Sequence, residues 1–186
     1  MTNISTARAA RVTIAGAMLA LLGACASTPP SGLAPVTLAR QVDLARFAGT
    51  WYVIANIPTM FEGGAHNATE HYVLDADGTM DTTFSFRADA FDGPLKTYRS
   101  RGYVLDADHA VWGQQYIWPI RADYRISYVA DDYSTTIITR EKRDYVWIMA
   151  RTPTISDDVY RRLLGIVERE GYDPAKVQRV PQASAR

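Results

Sequence analysis

From Gly49 to Ala150 the chain is a succession of short alternating or apolar runs, interrupted about every ten residues by turn-forming residues, with no helix-period segment between them. Side chains two apart in a strand share a face, so this pattern specifies antiparallel strands packed on one side and excludes a helical bundle or an α/β fold. Strands are read at 50–57, 67–74, 79–87, 96–105, 110–117, 122–130, 133–140 and 144–151. The Asp-Ala-Asp-Gly turn at 75–78 is the clearest hairpin signal, and 91–94, 106–109 and 141–144 behave similarly. Eight strands joined in order form an up-and-down meander. It either closes into a barrel, which has no free edges and room for one small ligand, or stays open as a sandwich.

One helical segment follows. Pro153 breaks the last strand, Thr154 or Ser156 caps a helix, Asp157 and Asp158 favour its positive end, and Gly171 stops it. Val159, Leu163, Ile166 and Val167 form an apolar stripe whose available partner is the outside of the sheet. Residues 176–180 suit a ninth, edge strand.

The N-terminus carries an export signal: Arg8 and Arg11, an apolar core too short to span a bilayer comfortably, then small residues ending at Cys25. Leu22, Gly23 and Ala24 before that cysteine resemble a bacterial lipobox, in which Cys25 is diacylated and becomes the first residue. It is the one cysteine of the 186-residue chain, so no internal disulfide forms. The expected organisation is a signal peptide at 1–24, a lipidated N-terminus and flexible tether at 25–41, and a folded domain at 42–182. Loss of the signal removes two arginines and no acid, taking the formal charge from 0 to −2, with no basic run to hold a polyanion. Nucleic acid is therefore not an expected partner, and membrane attachment rests on the lipid. In the lipoproteins it resembles, a residue other than Asp after the cysteine, here Ala26, goes with sorting to the outer membrane, on the periplasmic side.

Three stretches carry a family resemblance. Gly49-Thr-Trp51-Tyr opens the first strand, residues 128–133 (Tyr-Val-Ala-Asp-Asp-Tyr) occupy the turn between the sixth and seventh, and Trp147 to Val159 end the last. In order and spacing they resemble the signature regions of the lipocalins, and behind a lipobox they point to the bacterial lipoprotein branch. The resemblance implies an all-β fold: an eight-stranded antiparallel barrel with one C-terminal helix packed outside. It also implies that Trp51 plugs the closed end while Arg151 lies across its indole, so Gly49, Trp51 and Arg151 are structural and are left out of the binding set.

Counting alternately from Trp51 and Arg151 gives the inner face. Val53 and Ala55 fall inside on the first strand; Tyr145, Trp147 and Met149 fall inside on the last, with Val146, Ile148 and Ala150 outward beneath the helix. The same counting places Glu70, Tyr72, Thr82, Phe84, Gly102, Trp112, Gln114, Tyr116, Tyr124, Ile126 and Tyr128 inward, and a bulge would invert any such set. With Phe61, from the apolar loop 58–69 after the first strand, the expected ligand-binding residues are Val53, Ala55, Phe61, Glu70, Tyr72, Phe84, Trp112, Gln114, Tyr116, Tyr124, Tyr128, Tyr145 and Trp147.

An aromatic interior with scattered polar groups suits a ligand pocket better than a dry core. The expected ligand is a hydrophobic small molecule, a fatty acid or lysophospholipid, stored, carried or cleared. A carotenoid, haem or quinone carrier, a lipid-modifying enzyme using the same cavity, and a purely structural surface lipoprotein are the alternatives. Glu62, His66, Glu70 and His71 cluster within ten residues, but neighbours in a strand face opposite ways and no metal or nucleophile motif is present, so they read as solvated loop and rim residues. Arg140 to Asp144 likewise reads as a solvated turn. No catalytic residue, metal or cofactor is expected, and a homodimer is left open.

Overall fold

The computed structural model describes residues 30 and 32–183. The signal peptide and Cys25 lie outside them. Eight antiparallel strands follow one another around a barrel: β1 (Gly49–Ile57), β2 (Ala65–Leu74), β3 (Met80–Ala88), β4 (Leu95–Val104), β5 (Val111–Ile117), β6 (Ile120–Val129), β7 (Thr135–Thr139) and β8 (Val146–Ala150). Each pairs with the next, β8 pairs with β1, and β1 pairs with β2, which closes the sheet. The two-residue β9 (Gln178–Arg179) adds to β1 at Ala55 and Asn56.

Two apolar layers result. The barrel interior packs Phe47, Trp51, Val53, Tyr72, Met80, Phe84, Trp112, Tyr124, Trp147 and Met149. The outer layer packs Ile54, Ile137, Val146, Ile148 and Ala150 beneath Leu163 and Val167 of a helix. That helix, α2 (Asp157–Arg169), is capped by Ser156, whose hydroxyl accepts from the Val159 amide, and opens with Asp157 and Asp158. Gly171, at φ +88°, turns the chain out of it. β8 is thus apolar on both faces because one side meets the cavity and the other the helix.

Two strands depart from strict alternation. A bulge in β1 between Val53 and Ala55 turns Ile54 and Ala55 both outward, and one in β6 between Ile126 and Tyr128 does the same to Tyr128. Ala55 and Tyr128, expected inside, therefore belong to the layer under the helix. Beyond the first bulge Asn56 is the residue that turns inward.

The short helix α1 (Leu44–Phe47), capped by Asp43, leads into β1 and lays Phe47 over the barrel end. Ahead of it the stretch expected to be free tether is, from Ala34 onward, docked along the barrel wall. Arg143 Nη2 donates to the Ala34 carbonyl at 2.6 Å, the Val36 amide to Glu141 Oε1 at 3.3 Å, the Thr37 amide to Glu170 Oε2 at 2.8 Å and the Ala39 amide to the Ile126 carbonyl at 2.8 Å. Val36 and Val42 are buried. The turn that receives this strap is solvated only in part: Lys142 and Asp144 are exposed, but Glu141, 2% exposed, pairs with Arg125 at 2.7 Å and with Arg143 at 3.0 Å. Carboxylate and guanidinium are committed to each other and to strap backbone, which is why Glu141 is buried within a run that reads as a charged turn.

Candidate functional site

One end of the barrel is shut by aromatic rings. Phe47 sits 5.2 Å from Trp51, 5.3 Å from Tyr72 and 5.5 Å from Trp112, centroid to centroid, and Trp112 stacks on Tyr124 at 5.2 Å. The Trp51 indole donates to the Phe47 carbonyl at 2.8 Å. From outside, the Arg151 guanidinium carbon lies 3.8 Å over the Trp51 ring and its nitrogens donate to the carbonyls of Arg46, Phe47, Ala48 and Thr50 at 2.6 to 3.0 Å. A planar cation with fixed donors satisfies the end of α1 and covers the indole together. Gly49, at φ +93°, brings the backbone in where a Cβ would stand 3.4 Å from that guanidinium.

The opposite end is open, between the loops β1–β2, β3–β4, β5–β6 and β7–β8. From it a cavity of about 510 Å³ descends among the strands. Of the expected binding residues, Phe61, Phe84, Gln114, Tyr116, Tyr124, Tyr145 and Trp147 line it. Glu70 is buried inside, opposite Phe84 in the register of β2 and β3. Val53, Tyr72 and Trp112 are inside as expected but packed into the core and plug, below the cavity. Ala55 and Tyr128, turned out by the bulges, do not reach it.

The polar groups within are sparse and unevenly satisfied. Tyr72 and Tyr124 share a hydrogen bond between hydroxyls at 2.5 Å, and Gln114 Nε2 donates to Thr82 Oγ1 at 3.1 Å. Among the described residues, Glu70 Oε2, Gln114 Oε1 and Ser100 Oγ are buried without a partner. Burial, and secondarily the charge of Glu62, pushes the Glu70 carboxyl up to about 8. The Tyr124 phenol rises chiefly by burial and then by Glu70 and Tyr116, and the Tyr116 phenol, 55% exposed but enclosed by the mouth, is pushed up to about 12 by desolvation and then by Glu70.

Glu62 is the residue whose surroundings differ most from expectation. The β1–β2 loop folds it back into the mouth, where its Oε2 accepts from Asn56 Nδ2 at 2.9 Å and the Trp147 indole at 3.1 Å. Burial raises its carboxyl, and the hydrogen bonds from Trp147, Thr59 and Asn56 act against that rise. A loop carboxylate is drawn inside because the β1 bulge sends in the Asn56 amide as a donor. His66 and His71 stay at the surface, bonded to the Gly64 carbonyl and to Thr50 Oγ1. Among the described residues no group of three His, Cys, Asp or Glu side chains is placed to hold a metal.

Sequence reasoning missed Tyr98, Arg99 and Arg140, which also line the open part of the cavity. Tyr98, stacked near Phe84 at 6.4 Å, was within reach, since it lies four residues from Gly102, already counted inward on β4. Arg140 stands over the Tyr145 ring at 5.2 Å and pairs with Asp144 at 3.3 Å. The site is thus an aromatic sleeve with Arg140 and Glu62 towards its mouth, the Glu70 carboxyl deeper in and an aromatic plug below. It offers apolar burial and a few hydrogen bonds.

The family model described as lipocalin-like domain matches residues 42–182. The outer membrane lipoprotein Blc of Escherichia coli (strain K12) is 34% identical over 159 residues, 84% of this chain and 87% of that protein. Temperature-induced lipocalin-1 of Arabidopsis thaliana is 29% identical over 159 residues, 77% of this chain and 81% of that one. Among solved structures, insecticyanin from the tobacco hornworm Manduca sexta superposes with a TM-score of 0.64 at 13% identity, over 83% of this chain and 94% of that one. Lobster apocrustacyanin A1 gives 0.61 at 15%, over 83% and 93%.

Proposed function

The chain belongs to the lipocalin-like family, and from that premise we propose that it is an outer-membrane lipoprotein, anchored through Cys25 on the periplasmic side, whose barrel takes up one amphiphile with a long acyl chain. The observation that carries the reading is the cavity itself. Its 510 Å³ falls within the range of small-ligand sites, it opens at one end only, and its wall is largely aromatic. Each methylene removed from water contributes about 0.8 kcal/mol, so a long chain reaches micromolar affinity with little polar recognition.

The charge arrangement orients the ligand. Arg140, in the β7–β8 turn, belongs to the open part, whereas Glu70 is buried further in. A carboxylate or phosphate head meets a cation at Arg140, whereas Glu70, Gln114 and Tyr124 deeper in offer none, so the acyl chain enters tail first. A fatty acid or lysophospholipid has this polarity, and the protein stores, carries or clears it. Lipocalins are generally binding proteins, and the groups in the cavity take the role of contact surface.

Mass spectrometry of organic extracts of the protein purified from membranes is expected to show fatty acids or lysophospholipids in near-stoichiometric amount. Palmitate titrated into stripped protein is expected to change the emission of Trp147, and Arg140→Ala to weaken binding. Extracts dominated by a carotenoid, haem or quinone, with no response to palmitate, overturn the assignment in favour of a ring-system carrier. Conversion of the added lipid identifies an enzyme instead.

A further inference from the structure

The tip of the β5–β6 turn consists of Ile117, Trp118, Pro119 and Ile120, with the three large side chains 72%, 82% and 71% exposed. Beside it at the same end of the barrel the β1–β2 loop exposes Met60 and Phe61, 83% and 63%, and the β3–β4 loop exposes Phe91. Towards the closed end the large exposed apolar side chains among the described residues are Val73, Leu74 and Leu105, none above 58%. Clustering of this kind on a protein's surface marks an interaction site, and its composition, with tryptophan beside aliphatic residues, suits the boundary between lipid headgroups and acyl chains.

The route of the N-terminal strap says what covers this rim. From Val42 the strap runs back past Ile126 to the β7–β8 turn, where Ala34 and Val36 are held by Arg143 and Glu141. That turn is at the open end, so the chain leaves the barrel wall on the same side as the apolar tips. Cys25 stands eight residues before Leu33, a stretch that spans about 27 Å at most. Strands of nine or ten residues, tilted as in a closed barrel, are about 25 Å tall. An anchor starting at the mouth would use its whole length merely to reach the closed end.

We propose that the lipid anchor at Cys25 holds the protein mouth-down on the bilayer, with Ile117, Trp118, Ile120, Met60 and Phe61 seated in its interfacial layer. The cavity then opens directly onto the lipid surface and an acyl chain passes between bilayer and barrel without crossing bulk water. This rests on the anchored, lipid-binding reading above and adds an orientation to it.

The test uses lipidated full-length protein, purified from membranes and reconstituted in vesicles of phosphatidylethanolamine and phosphatidylglycerol, with and without a dibrominated phosphatidylcholine. The difference in emission between this protein and its Trp118→Phe variant isolates Trp118. Trp51 and Trp112 are buried in the plug and Trp147 lies inside the barrel, so they contribute equally to both. Docking predicts that vesicles shield Trp118 severalfold from iodide and that brominated lipid quenches it. It also predicts that an Ile117→Ser, Ile120→Ser, Met60→Ser variant, with the exposed substitutions leaving the fold intact, loses that shielding while still floating with the vesicles. Protein that floats and binds palmitate but leaves Trp118 open to iodide overturns the docking alone. Protein that does not float overturns both the docking and the anchor, and protein that shows quenched Trp118 but no palmitate binding upholds the docking against the ligand reading.

Discussion

Replacing Glu70 by Gln is expected to stabilise the barrel in a strongly pH-dependent way. The side chain is buried, one carboxylate oxygen lacks a partner among the described residues, and its carboxyl titrates at about 8 in place of 4.5. Below 4.5 both folded and unfolded chains hold the proton and the group is neutral to stability. Between 4.5 and 8 the unfolded chain releases the proton while the folded one keeps it, so folding becomes less favourable by about 1.36 kcal/mol for each pH unit. Above about 8 both states are ionised and the loss is constant. The gap between 4.5 and about 8 comes to roughly 5 kcal/mol, an upper bound because water entering through the open mouth lowers the cost of the buried charge. Glutamine keeps the shape without the charge, so its advantage over wild type is near zero at pH 4.5 and grows to a few kcal/mol at pH 8. Urea unfolding of both proteins at intervals from pH 4.5 to 8 measures it. Two stability profiles that run parallel across that range refute the reasoning, since they mean that Glu70 feels the same environment folded and unfolded.

The other predictions concern the plug, the two faces of β8 and the anchor. Trp51→Ala is expected to cost ~3–5 kcal/mol, the usual range for a buried aromatic, and Arg151→Ala less; a double-mutant cycle by chemical denaturation should show non-additive losses because the two side chains touch. Ile148→Ala, beneath α2, is expected to cost ~2–5 kcal/mol with palmitate affinity unchanged, whereas Trp147→Ala weakens binding and removes most of the fluorescence response; the reverse outcome by titration would show that the cavity is not where acyl chains bind. Cys25→Ser is expected to abolish acyl labelling and membrane attachment while leaving a folded domain by circular dichroism, and a variant that still takes up labelled palmitate disproves the lipid anchor.

The strands were legible because turn residues punctuate the chain so regularly, and α2 because cap, acidic first turn, apolar stripe and terminal glycine all agree. The phase of β8 was legible for a different reason: it is short and unbulged, so counting back from Arg151 puts Trp147 and Met149 inside and Ile148 outside. Ala55 and Tyr128 defeated the same counting, since a bulge adds one residue without any compositional mark. Depth along the barrel was also hidden. Alternation tells inside from outside, yet it cannot tell that Trp112 and Tyr72 belong to the plug while Gln114 and Tyr124 meet the cavity, because that depends on how far the rings of Phe47 and Trp51 fill the taper. Glu62 and Glu141 read as surface residues because charge usually marks exposure. Their partners, Asn56 and Trp147 for one, Arg125 and Arg143 for the other, are brought to them by folding.

The docked strap bears on how the protein withstands force. On the proposed lipid anchor, tension at Cys25 reaches the strap at Ala34 and acts lengthwise, from mouth to base. The attachments at Ala34, Val36, Thr37 and Ala39 lie along that line and carry the load together, as bonds in shear do, so they do not break in succession. What passes beyond them arrives at α1, whose last carbonyls Arg151 grips from the end of β8. On the proposed anchor, a pull from the membrane is therefore taken up first at the rim, by Arg143 and Glu141, and shared with the attachments nearer the base before it reaches the plug.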